Sequence, residues 1–278
     1  MIVVTGGTGR VGRQVVAKLA ELGQQVRVLS RGISPGQAPS GAEMVQADLA
    51  DPGSIEPHLD GAGALFLLWP FTSAEMTADL APKLAAMAAR QVGRVVYLSA
   101  QPAGERPGSF WALVERAVED SGVDWTFLRP TGFASNTLMW ADQIHSGDVV
   151  RWPFGAAART LIDERDIAAV AVRALTGDGH AGSSYVLSGP AVLTQAEQVA
   201  AIGKAIGRDL TWEEMPRPEA QRALTAAWGD AAFAASALDT WEQFVTHPES
   251  VTSTVRDVTG APAHSFADWA AANADAFR

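Results

Sequence analysis

An α/β fold is predicted for this 278-residue sequence: a doubly wound parallel sheet with a smaller C-terminal α/β lobe. Short apolar runs rich in β-branched residues alternate with stretches of helical period, which is typical of βαβ units and a parallel sheet. The first of these units carries a glycine-rich turn between its strand and its helix. The regular alternation then gives way to an aromatic-rich region, which indicates a second lobe.

The strands of the sheet are expected at the apolar runs of the first half of the chain. They occupy residues 2–5, 25–29, 43–46, 64–68, 94–98 and 125–128. Between the first two strands, a helix with one buried stripe is predicted from the helical spacing of Val11, Val15, Leu19 and Leu22. This unit is the first crossover of the sheet.

The crossover helix after the fourth strand is predicted over residues 73–91. Its buried face is expected to consist of Met76, Leu80, Leu84 and Met87. Pro82 removes a backbone donor from the middle of this helix. We therefore expect a kink or a break near Asp79.

The second half of the chain is less regular. An aromatic-rich stretch at 133–154 precedes a helix that starts near Asp163 and a last strand at 184–188. A helix at 196–206, a short segment at 210–213 and further Ala/Trp-rich helices follow. The predicted division is a core of residues 1–134 completed by 160–188, with 135–159 and 189–278 forming the smaller lobe on the substrate side.

Composition argues against several classes of function. The formal net charge of -10 disfavours nucleic acid and anionic membranes as partners. The absence of cysteine excludes disulfides and thiolate sites and fits a reducing compartment, and no apolar run reaches the ~20 residues of a transmembrane helix. The five histidines form no ligand spacing, so no metal is expected. We expect a soluble, cytoplasmic monomer or homodimer.

The glycine-rich turn joins the first strand to the first helix. Gly6, Gly9 and Gly12 allow, in order, a tight turn, a close approach to a pyrophosphate, and a helix that lies close to the strand. The N-terminus of the helix offers unpaired N–H groups to the anion. The pattern predicts a Rossmann dinucleotide site; the alternative is a glycine-rich turn that binds nothing.

The end of the second strand indicates which dinucleotide is bound. It reads Val28-Leu29-Ser30-Arg31, without the acidic residue that would hold the ribose 2′-hydroxyl of NAD. The Arg31 guanidinium instead matches a 2′-phosphate, with help from Ser30 and Arg10. NADP(H) is therefore the expected cofactor, and a merely solvated Arg31 is the alternative.

Further motifs accompany the turn along the chain. They are Gln46-Ala-Asp48-Leu49, Val96-Tyr-Leu-Ser99, residues 121–133 with Asn136, Asp166-Ile-Ala168 and Tyr185-Val-Leu-Ser-Gly189-Pro190. In order and spacing they resemble the NmrA-like, atypical branch of the short-chain dehydrogenase/reductase superfamily. The resemblance covers essentially the whole chain.

The resemblance implies roles for individual residues. Asp48 and Leu49 would border the adenine, while Ser99 and the segment 130–133 would lie near the nicotinamide. A turn-forming Asp48 and a strand-ending Pro130 are the alternatives. The expected cofactor-binding residues are Gly6, Thr8, Gly9, Arg10, Val11, Gly12, Ser30, Arg31, Asp48, Leu49, Leu68, Trp69, Pro70, Ser99, Pro130, Thr131, Gly132 and Phe133.

The sequence departs from the superfamily at the catalytic acid. Ordinary members use a Tyr followed four residues later by a Lys, and here those two positions hold Pro107 and Trp111. Ser99 stands at the superfamily's serine position and is the one catalytic candidate, although a serine alone is a poor proton donor at neutral pH. The proton would then come from water, a cofactor hydroxyl or the substrate.

Large side chains are candidates for a flat apolar substrate pocket. They are Trp69, Phe71, Trp111, Phe133, Asn136, Trp140 and Trp152. The alternative is that most of them are packed in the core, since large aromatic residues are commonly buried.

Two functions remain open from the sequence. The first is an NADPH-dependent reductase that transfers hydride to a ketone, enone or quinone, with an aromatic substrate favoured. The second is a regulatory protein that binds NADP(H) without chemistry, which the missing Tyr-Lys pair would allow. A small carbonyl compound or quinone is the expected partner of the first.

Overall fold

The computed structural model describes residues 1–32 and 41–278. The strands are β1 (Ile2–Thr5), β2 (Val26–Ser30), β3 (Ala42–Gln46), β4 (Ala64–Leu68), β5 (Arg94–Leu98), β6 (Asp124–Pro130), β7 (Val149–Trp152), β8 (Ala158–Arg159), β9 (Ser183–Leu187), β10 (Leu193–Thr194) and β11 (Thr211–Glu214). The helices are α1 (Arg10–Glu21), α2 (Pro52–Leu59), α3 (Ala74–Gln91), α4 (Phe110–Asp120), α5 (Ala141–Ser146), α6 (Glu164–Thr176), α7 (Gln195–Ile206), α8 (Arg217–Trp228), α9 (Ala231–Thr246), α10 (Thr254–Thr259) and α11 (Phe266–Ala272). Short 3-10 helices span Gln101–Gly104, Ala134–Trp140 and Ala274–Phe277.

The chain divides into two compact units. Unit 1 consists of Met1–Pro130, Glu164–Leu187 and Thr254–Ala261, and unit 2 consists of Thr131–Asp163, Ser188–Ser253 and Pro262–Arg278. The predicted division placed all of 189–278 in the smaller lobe. The structure differs because α10 packs on α6 and β9 through the buried Val255, which brings residues 254–261 into unit 1.

Unit 1 is built on a parallel sheet of seven strands in the order β3-β2-β1-β4-β5-β6-β9. Helices α1 and α6 pack together, and α2, α3 and α4 form a second layer. The buried side chains Val3, Leu65, Val95 and Phe127 belong to the core of this second layer. The predicted doubly wound α/β fold is confirmed.

Helix α3 corrects two expectations. It runs without a break through Pro82, because the turns on either side of the proline are held by buried side chains, among them Leu80 and Leu84. Met76 is 44% exposed, and Thr77 takes its place on the buried face. In α1 likewise, Leu22 is 60% exposed, since it caps the helix rather than continuing the buried stripe.

Unit 2 contains two small sheets and several helices. Strand β11 pairs in parallel with β7, and β10 pairs with β8 in the antiparallel direction. One core lies around Trp140, Val199, Ile202 and Trp269, and a smaller one lies between the paired helices α8 and α9. Within the residues described, no helix has the length and hydropathy to cross a membrane.

Candidate functional site

The turn between β1 and α1 depends on two of its glycines. Gly6 has a φ of +64°, a left-handed conformation that glycine adopts without strain. A Cβ on Gly12 would lie 2.1 Å from the carbonyl oxygen of Gly6. Any larger residue at position 12 would therefore push α1 away from the turn.

The N-terminus of α1 is open to an anion. Gly9 is its N-cap residue, no side chain caps the helix, and no acidic residue lies in the first turn. The Arg13 side chain steadies the turn instead, since its Nε donates to the carbonyl oxygen of Gly9 at 3.2 Å. The leading N–H groups and the helix dipole thus favour a phosphate at this position.

A cleft of about 380 Å³ lies beside this turn, at the carboxyl ends of β1, β2 and β4. The strand order reverses between β1 and β4, which is the point where open α/β sheets bind ligands. The predicted cofactor-binding residues that line the cleft are Gly6, Thr8, Gly9, Ser30, Arg31, Asp48, Leu49, Leu68 and Pro70.

The cleft also has lining residues that sequence reasoning missed. They are Thr5, Leu29, Gly32, Ala47 and Ile55. Four of them directly adjoin predicted residues in the sequence, so a wider window at each strand end would have found them. Ile55 comes from α2 and has no such signal. Thr5 also ties β1 to β4, because its Oγ1 accepts from the Leu68 N–H at 2.7 Å.

Arg31 is an exposed cation that lines the cleft. Its guanidinium makes no hydrogen bond or ion pair with the residues 1–32 and 41–278, whereas Arg27, on the preceding strand β2, pairs with Glu43 at 2.8 Å. The Arg31 backbone is fixed, since its carbonyl oxygen accepts from Gln46 Nε2 at 3.1 Å. The Ser30 hydroxyl donates to the carbonyl oxygen of Gly32 at 2.8 Å. An unpaired guanidinium in this position suits a phosphate group.

Asp48 lines the cleft and also shapes its own turn. Its Oδ1 accepts from the Ala50 N–H at 2.9 Å, and Ser54 Oγ accepts from its backbone N–H at 2.9 Å. The turn-forming interpretation of Asp48 therefore holds, and it is compatible with a place in the cleft wall.

Other predicted cofactor residues lie outside this cleft. Arg10, Val11 and Gly12 form the first turn of α1, and Pro130 ends β6. Trp69 is buried, and its Nε1 donates to Thr77 Oγ1 at 3.0 Å. The predicted segment Thr131, Gly132 and Phe133 belongs to unit 2.

Ser99 follows β5 in unit 1 and is 4% exposed. Its N–H donates to the carbonyl oxygen of Leu128 at 2.8 Å. Tyr97, two positions earlier, is fully buried. Neither the Ser99 hydroxyl nor the Tyr97 hydroxyl has a hydrogen-bond partner in bonding geometry within the described part of the chain. Nearby, Glu115 is held by Arg129 through two contacts of 3.0 and 2.6 Å. Sequence reasoning did not identify this ion pair, which joins α4 to β6.

Burial raises the pKa of the Tyr97 phenol well above its ordinary value, and the Glu115 carboxylate adds to the rise. Tyr97 therefore stays protonated near neutral pH. The protonated phenol contributes its full share to the free energy of unfolding at pH values below about 10, the pKa of tyrosine in the unfolded chain. This contribution is lost as the pH rises through the higher pKa of Tyr97 in the folded protein.

Alkaline titration should reveal this buried phenol. The sequence has two tyrosines, so in a Tyr185→Phe variant Tyr97 is the remaining one. We expect its phenolate absorbance to rise only together with the loss of the native circular dichroism. A phenolate signal while the variant is still folded would contradict the burial of the Tyr97 phenol. The Tyr97→Phe variant is the control, because it shows how much alkaline unfolding occurs without this phenol.

The predicted substrate-pocket residues are spread over both units. Phe71 and Trp111 are half-buried in unit 1, where Phe71 packs edge-on against Trp69 at 5.2 Å between ring centroids. In unit 2, Asn136 is exposed and Phe133 is half-buried. Trp140 is only 1% exposed and lies in the core, so the packing interpretation applies to it.

Trp152 belongs to a group of aromatic residues in unit 2. Its ring centroid lies 5.7 Å from that of Trp241, and it packs against the small core between α8 and α9. The following turn holds Phe154 at a φ of 60°, an unusual value for a residue with a side chain. Glu214 fixes the turn, because its carboxylate accepts from the N–H groups of Phe154 and Gly155 at 2.5 and 2.9 Å.

The residues 1–32 and 41–278 contain no group of three or more His, Asp or Glu side chains placed to hold a metal ion. The arrangement offers a phosphate site at α1, a cation at the end of β2 and a cleft between them.

This sheet order, with a glycine-rich turn and an open cleft at the switch point, defines a Rossmann-type protein of the class that binds dinucleotides. Residues 1–244 match the NmrA-like family, and the chain belongs to that family. The resemblance seen in the sequence motifs is thereby confirmed.

Individual relatives cover the full length of the chain. A (4-alkanoyl-5-oxo-2,5-dihydrofuran-3-yl)methyl phosphate reductase of Streptomyces griseus is 41% identical, over 100% of this chain and 99% of the relative. An NAD(P)H azoreductase of Xenophilus azovorans is 33% identical, again over 100% and 99%. Among solved structures, triphenylmethane reductase of Citrobacter sp. with NADP(H) has a TM-score of 0.84 at 18% identity, over 99% of this chain and 100% of that one.

Proposed function

We propose that this chain is an NADPH-dependent reductase of a ketone, enone or quinone. The observation that carries the proposal is the cleft at the switch point, lined both by the start of α1, which no side chain caps, and by Arg31, which has no ion-pair partner among residues 1–32 and 41–278. The reductases from Streptomyces griseus and Xenophilus azovorans support it, since both match along their whole length.

The residues present fit an NADP cofactor. The N–H groups at the start of α1 would hold the pyrophosphate, while Arg31 would pair with the 2′-phosphate. Asp48 and Leu49 would border the adenine. When bound, the reduced cofactor supplies a hydride, and the protein supplies binding and orientation.

The substrate class follows from what the chain lacks. Positions 107 and 111 hold Pro and Trp, and Tyr97 is fully buried and is not among the residues that line the cleft. Ser99, although its side chain is buried, stays the candidate that would orient the substrate oxygen by a hydrogen bond, and the proton would come from water. This suits enones and quinones, because conjugation spreads the negative charge that develops on their oxygen. Trp140 is buried and therefore cannot contribute to the wall of a pocket for an aromatic substrate.

Turnover with purified protein tests the proposal. NADPH absorbance should fall in the presence of quinones, cyclic enones or alkanoyl furanones, and NADH should be at least tenfold less effective because it lacks the 2′-phosphate. The Gly147→Ala variant is the control for activity that is lost during purification. A Cβ at this position of unit 2 meets nothing within 4 Å. Tight NADPH binding without turnover of any acceptor would overturn the reductase in favour of an NADP(H)-sensing protein, which the missing Tyr-Lys pair would fit.

A further inference from the structure

Unit 2 contains a second cavity that the proposed cofactor site does not use. Its volume is about 270 Å³, near the lower end of the range for small-molecule pockets. Most of its wall is apolar and includes Leu161, Leu193, Ala201 and Phe266. Arg159 is the one basic residue in the wall.

The Arg159 guanidinium is incompletely satisfied. Its side chain is 20% exposed, and Nη2 donates to Glu249 Oε1 at 2.6 Å. The Nε atom is buried without a hydrogen-bond partner in the described parts of the chain. Because a guanidinium has five N–H donors, Arg159 retains the capacity to bind an oxygen acceptor.

The environment of Arg159 decides which acceptor it suits. Glu249 is almost fully buried, and it neutralises the guanidinium while also accepting from the Thr160 N–H at 3.1 Å. The Phe244 ring lies 4.6 Å from Arg159 Cζ and covers it on one side. A neutral carbonyl oxygen fits this compensated site better than a second anion, which Glu249 would repel.

Arg159 also contacts the segment 131–133 of unit 2. A Cβ on Gly132 would lie 2.6 Å from Arg159 Nη1, so the guanidinium rests directly on this glycine. Arg159 therefore lies between the apolar cavity and residues 131–133, all within unit 2.

We propose that this cavity binds an aliphatic acyl chain of the substrate and that Arg159 donates a hydrogen bond to the acyl carbonyl oxygen. The assignment rests on the proposed reductase function and narrows its substrate to compounds that carry such a chain. The apolar wall provides affinity for the methylene groups, and the guanidinium fixes the polar end.

Calorimetric binding of straight-chain 2-alkanones to the full chain, without nucleotide, tests the cavity. Affinity should increase about fourfold with each added methylene, the factor expected for its burial, and should level off once the cavity is full. The Ala201→Phe variant should abolish this increase by filling the cavity. Ala200→Phe, on the exposed face of the same helix, should retain it.

A double variant tests the polar end. Arg159→Met with Glu249→Gln removes both charges together, so that neither is left unpaired. It should weaken the binding of all chain lengths by about tenfold while the dependence on length persists.

Separate outcomes identify which proposal fails. Absence of a length dependence, or equal effects of Ala201→Phe and Ala200→Phe, would overturn the acyl cavity even if NADPH turnover is normal. A clear length dependence without turnover of any acceptor would support the cavity and overturn the reductase.

Discussion

Replacing Arg31 by alanine should weaken NADPH binding by about tenfold to a hundredfold and leave NADH binding nearly unchanged. The side chain lines the cleft and has no ion-pair partner within residues 1–32 and 41–278, so its charge is available to the 2′-phosphate. Hydrogen bonds to a charged group contribute about 1.5–3 kcal/mol, which gives the expected range. Calorimetric titration with both nucleotides measures it.

Arg90→Ala is the matched control, since it removes the same charge from an exposed site that pairs with Glu56. Because long-range charge effects would act similarly in both variants, only a direct contact predicts a difference between them. Equal losses in the two variants, or equal losses for NADPH and NADH, would show that Arg31 does not bind the 2′-phosphate.

The Gly12→Ala substitution should reduce binding of either nucleotide by more than a hundredfold and destabilise the fold by about 1–3 kcal/mol. The added Cβ would lie 2.1 Å from the Gly6 carbonyl oxygen, a contact that backbone atoms cannot relieve by changing rotamer. The start of α1 would have to move, and the N–H groups that face the pyrophosphate would move with it.

Thermal unfolding and calorimetry together check this prediction. Gly147→Ala is the control, because a Cβ there meets nothing within 4 Å and its φ of 177° is ordinary extended backbone. Wild-type affinity in Gly12→Ala would mean that the turn adapts and that close packing at position 12 is not required.

The fold was predictable because its signals are local. Buried parallel strands appear as short continuous apolar runs, and the turn at Gly6 has a motif of its own. The break considered near Asp79 does not occur, since the helix continues through Pro82 with buried side chains on both sides of the proline. Packing between distant segments also brings α10 into unit 1, and periodicity carries no information about such contacts.

The site was predictable to a similar extent. Residues at strand ends, such as Arg31 and Asp48, were found because strand ends in a parallel sheet converge on one edge. Ile55 enters the cleft from a helix, and Arg159 is recognisable only from its surroundings in the folded chain. Aromatic residues gave the least reliable signal, since Trp140 lies in a core.

Unit 1 is assembled from three separate segments of the chain, and this affects how it folds during synthesis. Strand β9 and helix α6 arrive late, so β6 stays an unprotected sheet edge while the ribosome makes the intervening segment. Such edges pair readily with other nascent chains. Helix α10 follows β9 much later in the chain, after most of unit 2. Shortened chains that stop before Ser183, and so leave β6 without β9, should therefore aggregate more readily than the 278-residue chain, even though they retain every residue of the nucleotide cleft.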